Sequence, residues 1–200
     1  MKQASLPLFE IQNYNEVYVP DEDTFLLMDS ILNFPPSIQP TRCIEIGCGY
    51  GCVAIQMAKQ FQIIPYCTDI NPLALQNAQN TFIVNNLQGE FIQSDLFQNV
   101  DGKFDIIAFN PPYVPGDLQC DNLLDLALCG GAHGRDVIDR FLQELPARCS
   151  PGATVYMVAI EANAPDQLLA VLATRGFTAA VVLRKRLQSE ALVVIRAVRE

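Results

Sequence analysis

The sequence predicts an α/β fold: a seven-stranded, mostly parallel sheet with helices on both faces and an antiparallel C-terminal hairpin. Three observations predict it. Short β-rich runs alternate with helix-period segments along most of the chain. The first four runs end in glycine or a polar side chain, as strands do where an open parallel sheet offers its carboxyl ends to a ligand. The last two runs, FTAAVVLRK and EALVVIRAV, are joined only by RLQS, which is short enough for a hairpin.

Each element has a local reason. DEDTFLLMDSILNF carries apolar residues at helical spacing, with Asp or Thr available to cap, and PPSIQP breaks it. TRCIEIG is a short strand closed by glycine. CVAIQMAKQF follows as a helix, then IIPYCTDI as a second strand. In NPLALQNAQNTFIVNN, Asn71 caps a helix whose first position is Pro72. EFIQSDL and KFDIIAFN are the third and fourth strands. GRDVIDRFLQELPARC is a helix, ATVYMVAI the fifth strand, and APDQLLAVLATRG a helix stopped by glycine. The stretch from Val114 to His133 has no clear period. At that length it predicts a functional loop facing a substrate.

The totals bound the function. The 200 residues are half hydrophobic and only 18% charged, which suits one folded domain over 1–200 with a short extension at 1–17. The net charge of −9 disfavours a protein whose main partner is a phosphate backbone. The one dense basic cluster, Arg184-Lys185-Arg186, reads as a solvated strand end. Seven cysteines, an odd number without a C-x-x-C pair, and one histidine make no metal site of standard spacing. They read as small buried hydrophobes in a reducing compartment. The N-terminus lacks a signal-peptide core, and no run is long enough to span a membrane, so the reading is a soluble cytoplasmic protein.

Function is read at the strand ends. The first strand closes in EIGCGYG, with Glu45 ahead of Gly47, Gly49 and Gly51, where glycine lets a ligand approach the backbone. The second ends in Asp69, roughly 20 residues after the glycine turn, where an acid meets ribose hydroxyls. The third ends in Asp95, placed to accept from an adenine amine, and the fourth in Asn110 of AFNPPYVPG. Each has an ordinary explanation as a turn or cap, but four in succession point to an adenosine-type ligand beside a held amide. The glycine spacing departs from the G-x-G-x-x-G of dinucleotide folds. An acid at the turn opposes a pyrophosphate but suits a sulfonium and an amino group. The cofactor reading is therefore S-adenosylmethionine.

With EIGCGYG, CTDINP and NPPY on one chain, the sequence resembles class I methyltransferases that modify amide or amine nitrogens. More narrowly it resembles the eukaryotic and archaeal HemK-type release-factor glutamine methyltransferases. VYVPDEDTFLLMDSI, GGAHGRDVIDRF and GFTAAVVLRKRLQSEALVVIRA carry that resemblance from Tyr18 to Val198. The residues ahead of Tyr18 and the loop VPGDLQCDNLLDLALCGGAH depart from it.

The resemblance implies a Rossmann-like methyltransferase that modifies the glutamine amide of the Gly-Gly-Gln motif in a translation termination factor. It implies that Asn110 and the Pro111 carbonyl accept the substrate N–H groups, Pro112 stiffens the turn, and Tyr113 packs against the amide. Glu45 would meet the methionine amino group, with Tyr18, Thr24, Gly47, Gly49, Asp69, Asp95 and Asn110 around the cofactor. His133 and Arg135 read as a loop hinge. The resemblance also implies a heterodimer with a small zinc-binding activator at the third-strand edge, where Phe82, Val84, Leu87, Phe91 and Ile92 would be exposed, and poor solubility without it. An adenine-N6 methyltransferase, a protein lysine methyltransferase and a non-catalytic scaffold subunit are the competing readings.

Overall fold

The structure, a computed structural model, describes residues 1–116, 122–188 and 190–200. Seven strands form one sheet: β1 (Cys43–Ile46), β2 (Tyr66–Asp69), β3 (Glu90–Gln93), β4 (Phe104–Phe109), β5 (Cys149–Ile160), β6 (Phe177–Arg186) and β7 (Ala191–Arg199), in the order β3-β2-β1-β4-β5-β7-β6. The pairs β1–β2, β2–β3, β1–β4 and β4–β5 are parallel, and β7 runs antiparallel between β5 and β6. The sheet is mixed as expected. The hairpin is not a simple continuation, because its second strand turns back to lie against β5.

The helices are α1 (Glu22–Asn33), α2 (Cys52–Phe61), α3 (Pro72–Val84), α4 (Leu123–Leu128), α5 (Asp136–Arg148) and α6 (Pro165–Thr174). Along β4 the side chains alternate between two cores, one per sheet face. Ile106 and Ala108 pack with Leu27, Ile31, Val53 and Ala78 of α1, α2 and α3. Ile107 and Phe109 pack with Phe141, Leu142 and Leu168 of α5 and α6. Phe141 touches the rings of Phe97 and Phe109, so truncating it to alanine would cost about 3–5 kcal/mol.

Local expectations are met unevenly. Asn71 caps α3, accepting from the Leu73 N–H at 2.9 Å, with Pro72 in the first turn. At α1 the N-cap is Asp21, whose side chain makes no capping bond; Asp23 takes the Thr24 N–H instead. The 114–133 stretch is not without regular structure. It contains α4, and Val114 bridges to Cys129. Residues 117–121 of that loop, Cys120 among them, lie outside the described residues. Arg184 and Lys185 are not merely solvated; they pair with Glu161 and Glu22. Cys43, Cys48, Cys52, Cys67 and Cys149 are buried. Among the described residues, no helix is long and apolar enough to cross a membrane.

β3 lies at one edge of the sheet, bonded to β2 and to no other strand among the described residues. The expected apolar face beside it needs correction. Phe82 is only 2% exposed and stacks edge-on against Phe91, while Leu87, Phe91 and Ile92 are half-buried against the cores. The exposed apolar residues are Ile83 (69%), Ile64 (50%) and Val84, beside a shallow groove lined by Phe82, Leu87 and Phe91. The helix turns Phe82 inward and its successor outward.

Candidate active site

β1 is flanked by β2 on one side and β4 on the other, so the chain reverses direction across the sheet between β1 and β4. A crevice forms at the carboxyl ends of strands at such a point. Here it is a cavity of about 240 Å³. It gathers Tyr18, Thr24, Glu45, Gly47, Gly49, Asp69, Asp95 and the run Asn110 to Tyr113, although these residues come from separate stretches of sequence.

The turn after β1 is left-handed at Gly47, Gly49 and Gly51 (φ 63°, 51° and 72°), a region that side-chain-bearing residues rarely enter. A Cβ at Gly51 would also meet Ala78 Cβ at 3.1 Å. The Asp69 carboxylate braces this turn, accepting from the Gly49 N–H at 3.0 Å and the Asn71 N–H at 2.9 Å. Burial raises its pKa, and those amide bonds only partly offset the rise. Glu45 is 5% exposed and accepts from the Ala54 N–H, in the first turn of α2, at 2.7 Å. Burial pushes its carboxyl well above the ordinary range, the Ala54 bond opposes that, and the Asp69 charge adds to it.

Asp95 sits opposite Arg140 of α5, at 2.6 Å, and the next residue, Leu96, has a φ of 49°. Sequence reasoning misses Arg140, because a single arginine on a helix carries no pattern.

Asn110 closes β4. Its Nδ2 donates to Asp23 Oδ2 at 2.9 Å, and the Tyr113 hydroxyl donates to the same oxygen at 3.0 Å. The Tyr18 hydroxyl lies 3.2 Å from both carboxylate oxygens. Burial first, and then the Asp23 charge, raises the pKa of both tyrosines, so both remain donors. Asn110 Oδ1 is buried without a partner among the described residues, which is rare for a polar atom in a folded protein. From behind, the fully buried Asn163 donates to the Tyr113 carbonyl at 2.8 Å and to the Gly134 carbonyl at 3.0 Å, while its Oδ1 accepts from the Ile160 N–H at 2.8 Å. Sequence reasoning misses both Asp23 and Asn163. The first reads as an ordinary acid in a helix's first turn, and the second follows a strand without any motif.

The lining is acidic. Glu16, Asp23, Glu45, Asp69 and Asp95 face the cavity, and among the described lining residues the one arginine or lysine is Arg140, already paired with Asp95. A pyrophosphate finds no unpaired cation there. A ligand that carries a sulfonium and an ammonium, and offers hydroxyl and amine donors, fits the donor set.

Comparison with known proteins gives the family. The profile of the Methyltransferase small domain family matches residues 18–172. A putative protein N5-glutamine methyltransferase of Methanocaldococcus jannaschii is 35% identical over 190 residues, 94% of this chain and 94% of that one. The chain belongs to the HemK-type glutamine methyltransferases. Methyltransferase HEMK2 of Homo sapiens is 32% identical over 192 residues, covering 92% of this chain and 90% of its own. A solved structure, the E. cuniculi Mtq2–Trm112 complex responsible for methylation of the eRF1 termination factor, matches with a TM-score of 0.74 at 29% identity, over 92% of this chain and 99% of that chain. The fold is thus the Rossmann-like class I methyltransferase fold, and the chain is a methyltransferase.

Proposed function

We propose that this chain transfers a methyl group to the side-chain amide nitrogen of the glutamine in the Gly-Gly-Gln motif of a translation termination factor. The observation that carries the reading is the buried Asn110 Oδ1, an acceptor without a partner among the described residues, on a side chain that lines the cavity. A glutamine amide has two N–H groups to offer. Its nitrogen is a poor nucleophile, because the lone pair is delocalised into the carbonyl, so catalysis is mostly positional. Asn110 Oδ1 and the Pro111 carbonyl take one N–H each, orienting the nitrogen and favouring positive charge on it as the new N–C bond forms. Pro111 and Pro112 remove backbone freedom from the turn. The amide proton lost after transfer passes to solvent.

The cofactor is S-adenosylmethionine, which when bound supplies an electrophilic methyl on its sulfonium. Asp69 takes the ribose, Asp95 the adenine amine, Glu45 the amino group, and Tyr18 and Thr24 border the methionine end, with Gly47 and Gly49 giving backbone access. The partner is a small zinc-binding activator that adds a strand at β3; the Mtq2–Trm112 complex supports a heterodimer of this kind. Its apolar contact is Ile64, Ile83 and Val84, over a floor of Phe82, Leu87 and Phe91. The 114–133 loop faces the termination factor, residues 1–17 form an extension of the single domain, and the setting is cytoplasmic.

Asn110→Ala tests the reading. Transfer to the glutamine should fall by roughly 10²–10³, the cost of one preorganised polar contact, while cofactor affinity stays near that of the unsubstituted protein. Parallel loss of cofactor affinity would move Asn110 out of the substrate role.

A further inference from the structure

We propose that Asp23 is a positioning residue that fixes which way the Asn110 amide faces. This deepens the glutamine reading and rests on it. Asparagine can serve the substrate as an acceptor only with its oxygen turned into the cavity. With its NH₂ turned there instead, it would confront the substrate's own N–H groups, donor against donor. Asn110 cannot choose by shape, since its oxygen and nitrogen are nearly the same size.

The choice is made 87 residues away in sequence. Asp23 is 4% exposed at the start of α1, and its Oδ2 is 2.9 Å from Asn110 Nδ2. An ionised carboxylate accepts and never donates. Rotating the amide by half a turn would set Asn110 Oδ1 against Asp23 Oδ2 and exchange a charge-assisted bond for a repulsion. Asp23 is itself held from turning away. Tyr113 donates to Oδ2 at 3.0 Å, the Thr24 N–H donates to Oδ1 at 2.6 Å, and Tyr18 bridges both oxygens. The Asn110 amide is thus locked with its nitrogen on Asp23, the orientation that leaves Oδ1 without a partner among the described residues and reserves it for the substrate N–H. Tyr113 belongs to this clamp through its hydroxyl, a role beyond the packing expected of its ring.

The test is a swap of polarity. Asp23→Asn, Asn110→Asp and the double variant D23N/N110D are compared for kcat at saturating cofactor, with a termination factor as substrate and with cofactor Kd measured separately. In the double variant, the amide introduced at position 23 donates to one oxygen of the carboxylate introduced at position 110. The other oxygen of that carboxylate remains the acceptor for substrate. Asp23→Asn and Asn110→Asp should each lower kcat at least tenfold, and the double variant should recover at least tenfold over Asn110→Asp. A D23N enzyme within twofold of the original kcat would overturn the proposal, and so would a double variant reduced by the product of its parents.

The unsubstituted protein gives an independent reading that needs no variant to function. In its NMR spectrum the Asn110 side-chain NH₂, assigned by its loss in Asn110→Asp, should show one proton shifted downfield by the carboxylate bond. Two ordinary amide protons would contradict the lock. Should the unsubstituted enzyme fail to methylate the glutamine, the functional reading falls, while this spectrum still decides the orientation.

Discussion

Glu45→Gln separates the cost of a buried carboxylate from its use. Glu45 is almost fully enclosed, its pKa is raised chiefly by burial, and one oxygen is committed to the Ala54 N–H. A carboxyl with a raised folded pKa binds its proton more tightly in the native state than in the unfolded chain. Its contribution is therefore fully present below the ordinary value of 4.5 and is lost as pH rises through the folded value. Within that window each pH unit costs about 1.4 kcal/mol. For a chain of this size 1 kcal/mol moves Tm by about 2–4 °C, so the slope is about 3–6 °C per pH unit. Glutamine keeps an acceptor for Ala54 but has no proton to lose. The difference in Tm between Glu45→Gln and the original protein should therefore grow in favour of the variant by that amount per unit as pH is raised from about 5. The assay is thermal unfolding of both proteins, free of cofactor, across a pH series. Calorimetric titration with S-adenosylmethionine should show the converse, a loss of affinity of roughly tenfold or more, the worth of a charge-assisted bond. A Tm difference that is flat with pH would refute the buried-charge reasoning. Unchanged affinity would reduce Glu45 to a clasp on α2.

Other expectations follow from the same geometry. Asn163→Leu leaves the Tyr113 and Gly134 carbonyls and the Ile160 N–H without their partner; with each orphaned group costing about 1–3 kcal/mol, Tm should drop by at least about 6 °C and kcat should fall with it. Gly134→Ala should be harsher, because the new Cβ would run into the Tyr113 carbonyl oxygen; soluble yield measures it. Ile83→Asp places a charge on a side chain 69% exposed beside the β3 edge, so its own stability should barely change while its complex with the activator weakens at least tenfold in a pull-down titration. A high-yield, monodisperse chain without any partner would count against that interface.

Much of the site is legible in the sequence because strand ends are. Each of β1 to β4 is a short run that ends within two residues of a glycine or of Asp69, Asp95 or Asn110, and parallel pairing then carries all four carboxyl ends to one side of the sheet. What escapes notice is whatever reaches the site from elsewhere. Asp23 arrives on α1 and Asn163 from the one-turn 3-10 helix Glu161–Asn163 after β5, and neither position carries a spacing that distinguishes it from a surface polar residue. The inward turn of Phe82 is hidden for a different reason. TFIVNN is apolar on several consecutive positions, so periodicity does not say which side faces the core. The place of β7 between β5 and β6 is hidden too, because a hairpin fixes the pairing of its two strands but not which of them meets the sheet.

The most direct measurement is methyl transfer from labelled S-adenosylmethionine, with the chain co-expressed with a small zinc-binding activator. Two acceptors are offered: a termination factor with its Gly-Gly-Gln loop, and duplex DNA. Label is expected on the factor, abolished when that glutamine becomes alanine, and none on the DNA. Label on DNA alone would contradict it.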